Sequence, residues 1–391
     1  MGLESCADLD YELPTRIRYG IGRIEEVGEI ALRLGTRALL VTTPGVPHVE
    51  RVSELLTMAG VEVTLFDEAE PNPSVESVDY AGEIAQQMGC ALTIGLGGGS
   101  SIDTAKGAAV AVTNDGSVWE YSIEYREGTR QIEHPPLPII AIPTTAGTGS
   151  EVNHVAVLSN HDTEQKGPLR SDLIRPTFAL IDPELTVTMP ASVTASTGFD
   201  ALTHAFERYF AGSWHPYVDM MTENTIATVI EYLPRAIEQP DDLETRARMS
   251  WAATQAALCV LAPMGESGLH IFGLAVSAVI DAAHGRALAA IMPPVLQDLA
   301  GAYPERAARL ARILGDEERA ERAEPAMCRW MKEIGMALTL EDLGAGVEHL
   351  PALVEATSRK RLESGYHRPM SESDVRAIYE AAMDDGSALS G

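Results

Sequence analysis

The sequence predicts an α/β domain with a parallel, Rossmann-like sheet over residues 1–187, followed by an all-α domain over residues 188–391. Three observations lead to this fold class. A chain of 391 residues exceeds the usual size of one hydrophobic core, so about two domains are expected. Short apolar runs alternate with amphipathic segments in the first half, which is typical of a parallel sheet covered by helices. From about residue 190 onward, nearly every segment has helical periodicity.

The elements follow in order along the chain. The segments that we interpret as buried strands are 37–43, 61–67, 91–100, 136–145 and 176–182. The helices expected between the early strands are 52–58, 76–89 and 101–112. The helices expected in the second half are 198–211, 217–237, 243–261, 265–280, 286–314 and 317–334.

Composition narrows the functional class. The net charge of −28 argues against binding to nucleic acid or an acidic membrane, because the general field repels polyanions. No stretch approaches the ~20 apolar residues of a membrane span. The N-terminus lacks a basic region and an apolar core, so we expect a cytoplasmic protein. The four cysteines lack CxxC spacing, which disfavours a disulfide framework or a cysteine zinc site.

Two glycine-rich stretches follow predicted strands. In "GLGGGSSIDTAKG", Gly97, Gly98 and Gly99 allow close approach of the backbone to a phosphate at the start of a helix. A tight structural turn is the alternative for this loop alone. The second stretch, "IPTTAGTGSEVN" over 142–153, adds hydroxyl groups from Thr144, Thr145, Thr148 and Ser150. Two such loops at strand ends favour a dinucleotide ligand.

Two charged residues follow the triple glycine. Asp103 and Lys106 lie on the first turns of the predicted helix. They either cap the helix and face solvent, or face the crevice beside a cofactor.

The stretch "STGFDALTHAFERYF" places an aspartate and a histidine on an apolar helical face. Asp200 and His204 are four residues apart, so they are either an ion pair in a core or half of a metal site. A lone buried histidine is more often a core residue than a ligand. Here, however, His270 and His284 also lie in an apolar region of the helical half. One carboxylate and three imidazoles suit Fe²⁺, Zn²⁺ or a similar divalent ion.

Five motifs, in their order and spacing, resemble the iron-containing (group III) alcohol dehydrogenase family. They are "GGGSSIDTAK" (97–106), "PTTAGTGSEV" (143–152), "IDPELT" (181–186), "GFDALTHAFE" (198–207) and "HIFGLAVSAVIDAAHG" (270–285). The resemblance implies a dehydroquinate-synthase-like architecture and a homo-oligomer, a dimer or larger. It implies hydride transfer between NAD(H) or NADP(H) and a small alcohol or aldehyde.

The resemblance also implies roles for individual residues. The implied metal ligands are Asp200, His204, His270 and His284. The implied cofactor contacts are Gly97, Gly98, Gly99 and Ser100 at the pyrophosphate, with Asp103, Thr144, Thr145 and Thr148 around the nicotinamide nucleotide.

Three positions depart from the family pattern. Leu274 stands where members commonly carry a proton-relaying histidine, so the proton leaves either by water and the cofactor ribose or through another group such as His154 or His367. Thr43 replaces a common aspartate, so NADP(H) is allowed. The triplet "NPR" is replaced by "YHRP" over 366–369.

Substrate contacts are expected from Asn153, His154, Leu274 and Arg286. Arg286 could bind an anionic group on the substrate, although a solvent-facing arginine at a helix start is the favoured interpretation. Alternative functions are a dehydroquinate-synthase-like or glycerol-1-phosphate-dehydrogenase-like enzyme, or a non-catalytic relative that binds metal or nucleotide.

Overall fold

The computed structural model describes residue 9 and residues 11–125, 127–163, 165–211, 215–260, 268–357, 362–363 and 366–383. The chain forms two compact units, and neither consists of one continuous segment. The sheet unit comprises Glu12–Met189 and Pro240–Thr254. The helical unit comprises Met1–Tyr11, Pro190–Gln239 and Gln255–Gly391.

A six-stranded, entirely parallel sheet forms the centre of the sheet unit, in the order β1-β8-β5-β4-β2-β3. Its strands are β1 (Arg16–Tyr19), β2 (Arg37–Thr42), β3 (Glu62–Phe66), β4 (Leu92–Gly97), β5 (Ile139–Pro143) and β8 (Phe178–Ile181). The remaining two, β6 (Val155–Asn160) and β7 (Gln165–Arg170), form an antiparallel hairpin. The sheet is built outward in both directions from the β2–β4 pair, and the carboxyl ends at such a switch point are where open α/β sheets bind ligands.

Helices cover both faces of this sheet. Alternating residues of β2 enter different clusters: Leu40 packs with side chains of α1 and α2, whereas Val41 packs with those of α3 and α4. The helices are α1 (Val27–Leu34), α2 (Val49–Met58), α3 (Val75–Gln87) and α4 (Gly99–Thr113). Because both faces are covered, β4 and β5 are buried along their whole length, which explains their continuous apolar sequence.

The segment Pro240–Thr254 completes the sheet unit after the chain has already entered the helical unit. The Tyr19 hydroxyl donates to the Ala247 carbonyl at 2.9 Å. The Thr254 hydroxyl donates to the buried Glu151 carboxylate at 2.8 Å. This segment is therefore bonded to the end of β1 and to the stretch between β5 and β6.

The helical unit contains most of the remaining helices. They are α5 (Ala191–Tyr209), α6 (Pro216–Glu238), α7 (Leu243–Val260), α8 (Leu269–Ile280), α9 (His284–Ala302), α10 (Pro304–Ile313), α11 (Ala323–Glu333), α12 (Leu350–Ala356) and α13 (Glu372–Met383). Helix α7 begins in the sheet unit and ends in the helical unit. Among the described helices, none has both the length and the apolar character of a membrane span.

The predicted fold class is confirmed, with differences in detail. The sequence pattern missed β1, α1 and the polar β6–β7 hairpin. The helix predicted over 286–314 is two helices, because Pro304 lacks an N–H and instead begins α10. The chain passes into the helical unit between Met189 and Pro190, and the predicted division into 1–187 and 188–391 did not include the return of Pro240–Thr254. Part of the helix predicted over 265–280 lies outside the described residues.

Candidate metal centre and cofactor loops

Helix α5 carries three chemically important side chains along one face. Asp200, His204 and Glu207 follow at i, i+4 and i+7, which superimposes them on successive turns. Asp200 is only 4% exposed and Glu207 only 5%. Gly198 on the same helix lies against Leu233 of α6, which leaves no room for a side chain there.

The other two predicted ligands lie at the beginnings of α8 and α9. His270 is in the first turn of α8, after Gly268, whose positive φ of 89° turns the chain into the helix. His284 is the first residue of α9. Both imidazoles thus project from the first turn of a helix.

These side chains converge on one carboxylate oxygen. Asp200 Oδ1 lies 3.5 Å from His270 Nε2 and 3.8 Å from His284 Nε2. The ligand atoms of Asp200, His270 and His284 all lie within 4.8 Å of one another. His204 Nδ1 is 3.9 Å from the same oxygen, and its ring stacks on that of His270 with centroids 4.5 Å apart. The structure therefore brings all four predicted ligands together, three of them at the spacing of a shared ion.

The buried polar atoms of this cluster fit a divalent cation. Asp200 Oδ1, His204 Nδ1 and His270 Nε2 are buried and lack hydrogen-bond partners among the described residues. Leaving such atoms unsatisfied costs about 1–3 kcal/mol each, and a bound cation would satisfy them together. A carboxylate with imidazole nitrogens is a donor set for Fe²⁺ or Zn²⁺.

The electrostatics favour an ionised carboxylate. Burial alone would raise the pKa of Asp200, but the surrounding imidazoles of His204, His270 and His284 outweigh burial and hold that pKa below its ordinary value. Burial also lowers the pKa of His204. An ionised carboxylate and neutral imidazoles are the forms that bind metals.

Glu207 contacts the predicted ligand His270, and the sequence pattern did not reveal this contact. Its Oε1 accepts the backbone N–H of His270 at 2.9 Å, and its Oε2 lies 2.9 Å from His270 Nδ1. Burial lowers the pKa of His270, but Glu207 and Asp200 outweigh burial and raise it to about 10. A metal ion at Nε2 would therefore displace a proton. The available signal was the i+7 spacing from Asp200 on one helical face.

In the sheet unit, the two glycine-rich loops lie side by side. The Thr144 N–H donates to the Gly97 carbonyl at 2.9 Å. A Cβ atom on Gly99 would lie 2.7 Å from the Thr148 side chain, so the loops touch where glycine is required. Gly98 precedes α4 and offers no side-chain cap, which leaves the first N–H groups of α4 available to an anion.

Asp103 and Lys106, both on α4, form hydrogen bonds with the second glycine-rich loop. The ammonium of Lys106 is fully buried and donates to Ser150 Oγ at 2.8 Å, Asn153 Oδ1 at 2.9 Å and the Val155 carbonyl at 2.7 Å. Burial lowers the pKa of Lys106 to about 8, although Asp103 opposes this. The interpretation of Lys106 as a solvent-facing charge is therefore wrong.

The carboxylate of Asp103 is engaged within the chain as well. Its Oδ1 accepts from the Ser150 hydroxyl and its Oδ2 from the Val157 N–H at 2.9 Å. Burial raises the pKa of Asp103, an effect that Lys106 partly offsets. Direct contact between Asp103 and a cofactor stays a prediction.

The remaining cofactor residues surround the first loop. Thr43, the residue after β2, shares a hydrogen bond of 2.8 Å with Ser101 in the first turn of α4, next to Ser100. A Cβ atom at position 98 would lie 3.4 Å from the Thr145 side chain, so this threonine borders the first loop. The sequence therefore identified residues that the fold gathers at the carboxyl ends of β2, β4 and β5.

The predicted relay and substrate residues are more dispersed. His367 Nε2 lies 2.6 Å from Asp298 Oδ2, so this imidazole is already engaged in the helical unit. His154 precedes β6 and is partly buried. Leu274 is one turn beyond His270. Arg286 is two residues after His284, a spacing that places side chains on different sides of a helix.

Comparison with known proteins decides the family. Residues 14–183 match the family described as iron-containing alcohol dehydrogenase, and residues 194–383 match the C-terminal domain of the Fe-containing alcohol dehydrogenase family. This chain belongs to the iron-containing alcohol dehydrogenase family. It is an oxidoreductase, so the predicted function class is confirmed over the dehydroquinate-synthase-like and non-catalytic alternatives.

Other iron-containing alcohol dehydrogenases are similar along nearly their whole length. Choline dehydrogenase of Bacillus subtilis is 37% identical over 384 residues, covering 96% of this chain and 95% of the relative. NAD-dependent methanol dehydrogenase of Bacillus methanolicus is 31% identical and covers 96% of this chain and 100% of the relative. The crystal structure of NADH-dependent butanol dehydrogenase A from Thermotoga maritima has a TM-score of 0.88 at 30% identity, covering 96% and 99% of the two chains.

Proposed function

We propose that this alcohol dehydrogenase uses Fe²⁺, held by Asp200, His204, His270 and His284, to interconvert small alcohols and aldehydes with a nicotinamide cofactor. The observation that carries the proposal is the convergence of Asp200 Oδ1, His270 Nε2 and His284 Nε2 within 4.8 Å. Zn²⁺ binds the same donor set, so the choice between the two metals rests on the family. The family is described as iron-containing, which favours Fe²⁺. When bound, the metal supplies Lewis-acid polarisation of the substrate oxygen and the nicotinamide supplies or accepts hydride.

The residues of the chain support this chemistry by positioning. Asp200 keeps a negative charge in a buried site, which lowers the cost of placing a divalent cation there. Gly97, Gly98 and the N-terminus of α4 offer backbone N–H groups to the pyrophosphate of the cofactor.

NAD(H) is the proposed cofactor, and NADP(H) is accepted as well. The relatives from Bacillus methanolicus and Thermotoga maritima are NAD- and NADH-dependent by name. Thr43, the residue after β2, carries no charge, so it would not repel the additional phosphate of NADP(H).

The relatives act on choline, methanol and butanol by name, which supports a small alcohol or aldehyde as the substrate. The opposite orientation of His284 and Arg286 along α9 favours a neutral substrate over an anionic one. A panel of neutral and anionic aldehydes, assayed with wild type and Arg286→Ala, tests this. A loss of activity in Arg286→Ala towards the anionic aldehydes alone would contradict the preference for a neutral substrate.

The metal assignment is tested with Asp200→Ala, His270→Ala and His284→Ala. Each variant should purify with far less than one iron per chain and should consume no NADH or NADPH with an aldehyde panel. The exposed His161→Ala in the β6–β7 turn is the matched control and should keep both metal and activity. Full iron content in Asp200→Ala, measured by elemental analysis of anaerobically purified protein, would show that Asp200 is not a metal ligand.

We also propose a cytoplasmic homo-oligomer, a dimer or larger. Cys90 and Cys259 are buried free thiols, which is consistent with a reducing compartment. In the described chain, the outer edges of β1 and β3 have no strand partner and could pair with a second copy. Light scattering coupled to size-exclusion chromatography would reveal a mass of 41.9 kDa if the protein is instead a monomer.

A further inference from the structure

We propose that Glu207 is a positioning residue that selects the metal-binding form of His270. This inference rests on the proposed metal site, because it assumes that His270 Nε2 is a ligand. It adds Glu207, which is not one of the proposed ligands, and gives it a specific role. That role is to keep a proton on Nδ1 of His270, across the ring from the proposed ligand atom Nε2.

The geometry is bidentate and internal. One oxygen of Glu207 accepts the backbone N–H of His270, and the other lies 2.9 Å from Nδ1 of the same residue. Helix α8 has no side-chain cap from its own N-cap residue, Gly268. Glu207 therefore caps α8 from a different helix, and its negative charge lies at the positive end of that helix. Backbone and ring of His270 are fixed by a single carboxylate.

An ionised carboxylate can only accept hydrogen bonds, so it requires a proton on Nδ1. With Nδ1 protonated, Nε2 is the nitrogen that can give up its proton and bind a metal. Nε2 is the atom that faces Asp200 Oδ1, at 3.5 Å. The hydrogen bond and the metal-binding atom are thus on opposite sides of one ring, as in other metal sites with a carboxylate behind the histidine.

Glu207→Gln separates this role from simple capping. The amide oxygen of glutamine can still accept the His270 backbone N–H. The amide nitrogen, however, would then donate to Nδ1, which forces the neutral imidazole to carry its proton on Nε2. The variant preserves side-chain volume and the helix cap but opposes metal binding by His270.

The experiment measures affinity for Co²⁺ by competition with a chelator, and records the visible absorption of the bound Co²⁺. Glu207→Gln should bind Co²⁺ about 10–100-fold more weakly than wild type and with an altered spectrum. The metal-free variant should retain its far-UV circular dichroism. Glu231→Gln is the matched control, because Glu231 is 52% exposed and its ion pair with Arg235 on α6 lies at the surface. Glu207→Asp, which keeps the charge but withdraws it by one methylene, provides a second comparison should the glutamine variant fold poorly.

A double variant tests whether the effect passes through His270. If Glu207 acts only by orienting that imidazole, Glu207→Gln combined with His270→Ala should bind Co²⁺ no more weakly than His270→Ala alone. Wild-type affinity in folded Glu207→Gln overturns the inference and leaves the metal site intact. Wild-type affinity in Asp200→Ala overturns the proposed metal site itself, so the two failures are distinguishable.

Discussion

Gly285 lies directly against the backbone carbonyl of Ser196, so closely that a Cβ atom at position 285 would be 2.1 Å from the carbonyl oxygen. This contact joins the start of α9 to α5. Gly285 follows His284, and Ser196 precedes Asp200 by one helical turn. The absence of a side chain at position 285 therefore determines how closely two of the proposed metal ligands approach.

Gly285→Ala should separate α9 from α5 and weaken metal binding at least tenfold. The contact is with backbone, which cannot rotate away, so we also expect a loss of stability of about 1–3 kcal/mol. Gly301→Ala in the same helix is the control, since a Cβ at position 301 would meet no atom within 4 Å among the described residues outside its own turn of helix. That variant should be neutral or slightly stabilising. Equal metal content in both variants, measured by elemental analysis, would contradict the expectation.

Gly98→Ala should raise the KM for the nicotinamide cofactor without destabilising the protein. A Cβ at position 98 would meet Thr145 only at 3.4 Å, so the protein tolerates it, whereas a pyrophosphate against the backbone would not. The measurements are cofactor KM and the thermal midpoint. A changed midpoint with an unchanged KM would indicate that Gly98 serves the turn and not the cofactor.

Lys106→Met should destabilise the second glycine-rich loop. The change removes three hydrogen bonds and leaves the buried Asp103 carboxylate without its cation, at a cost of about 3–5 kcal/mol. Cofactor KM should rise more than kcat falls. The control is Lys332→Met, because Lys332 is exposed at the end of α11. Urea denaturation that gives the same midpoint for both variants would show that the buried ammonium contributes no net stability.

His154 should make the protein sensitive to mild acid. Burial, followed by the nearby Arg175, lowers the pKa of His154 to about 4 in the folded protein. The unfolded imidazole has a pKa of about 6.5, so between about pH 6.5 and 4 the unfolded chain binds more protons than the folded chain. The free energy of unfolding should therefore fall as the pH drops through this window.

A substitution isolates that effect. From pH 7 to pH 5, the urea midpoint of His154→Gln should fall less than that of wild type. The exposed His161→Gln should follow wild type. If His154→Gln loses as much stability as wild type over this range, the imidazole is not the source of the acid sensitivity.

Salt should stabilise the folded protein. The chain has 57 acidic and 29 basic side chains, which gives a net charge of −28. The excess carboxylates repel one another more strongly in the folded chain than in the expanded unfolded chain. Raising the ionic strength from 0.01 to 0.1 M shortens the screening length from about 30 to 10 Å. The urea midpoint should rise, and sodium chloride and sodium sulfate should agree when compared at equal ionic strength in this range. A falling midpoint would show that attractive surface ion pairs outweigh the net repulsion.

Much of the metal centre could be predicted because its ligands stand out from residues close to them in the sequence. The spacing of Asp200 and His204 is one helical turn, and the apolar surroundings of His270 and His284 indicate buried imidazoles. Glu207 could not be assigned in this way. Its contact with His270, 63 residues further along the chain, depends on how tertiary packing places the start of α8 against α5.

The same limit applies to the sheet unit. The continuous apolar runs of β4 and β5 predicted a buried parallel sheet, and the glycine loops followed from their position after those strands. Lys106 was ambiguous because its partners, Ser150 and Asn153, are 44 and 47 residues away. The β6–β7 hairpin lacks a clear alternation of apolar and polar residues, so nothing local indicated that it would lie over a buried lysine.

The discontinuous sheet unit also has a consequence for synthesis of the protein. Its strands are complete at Ile181, yet Ala247 and Thr254, which bond to Tyr19 and Glu151, come only after α5 and α6 have been made. A fragment ending near residue 187 would leave the buried Glu151 carboxylate without its threonine donor. During synthesis, these two hydrogen bonds of the sheet unit can therefore form only after α5 and α6 of the other unit have been made, so the last contacts of the sheet unit are completed late.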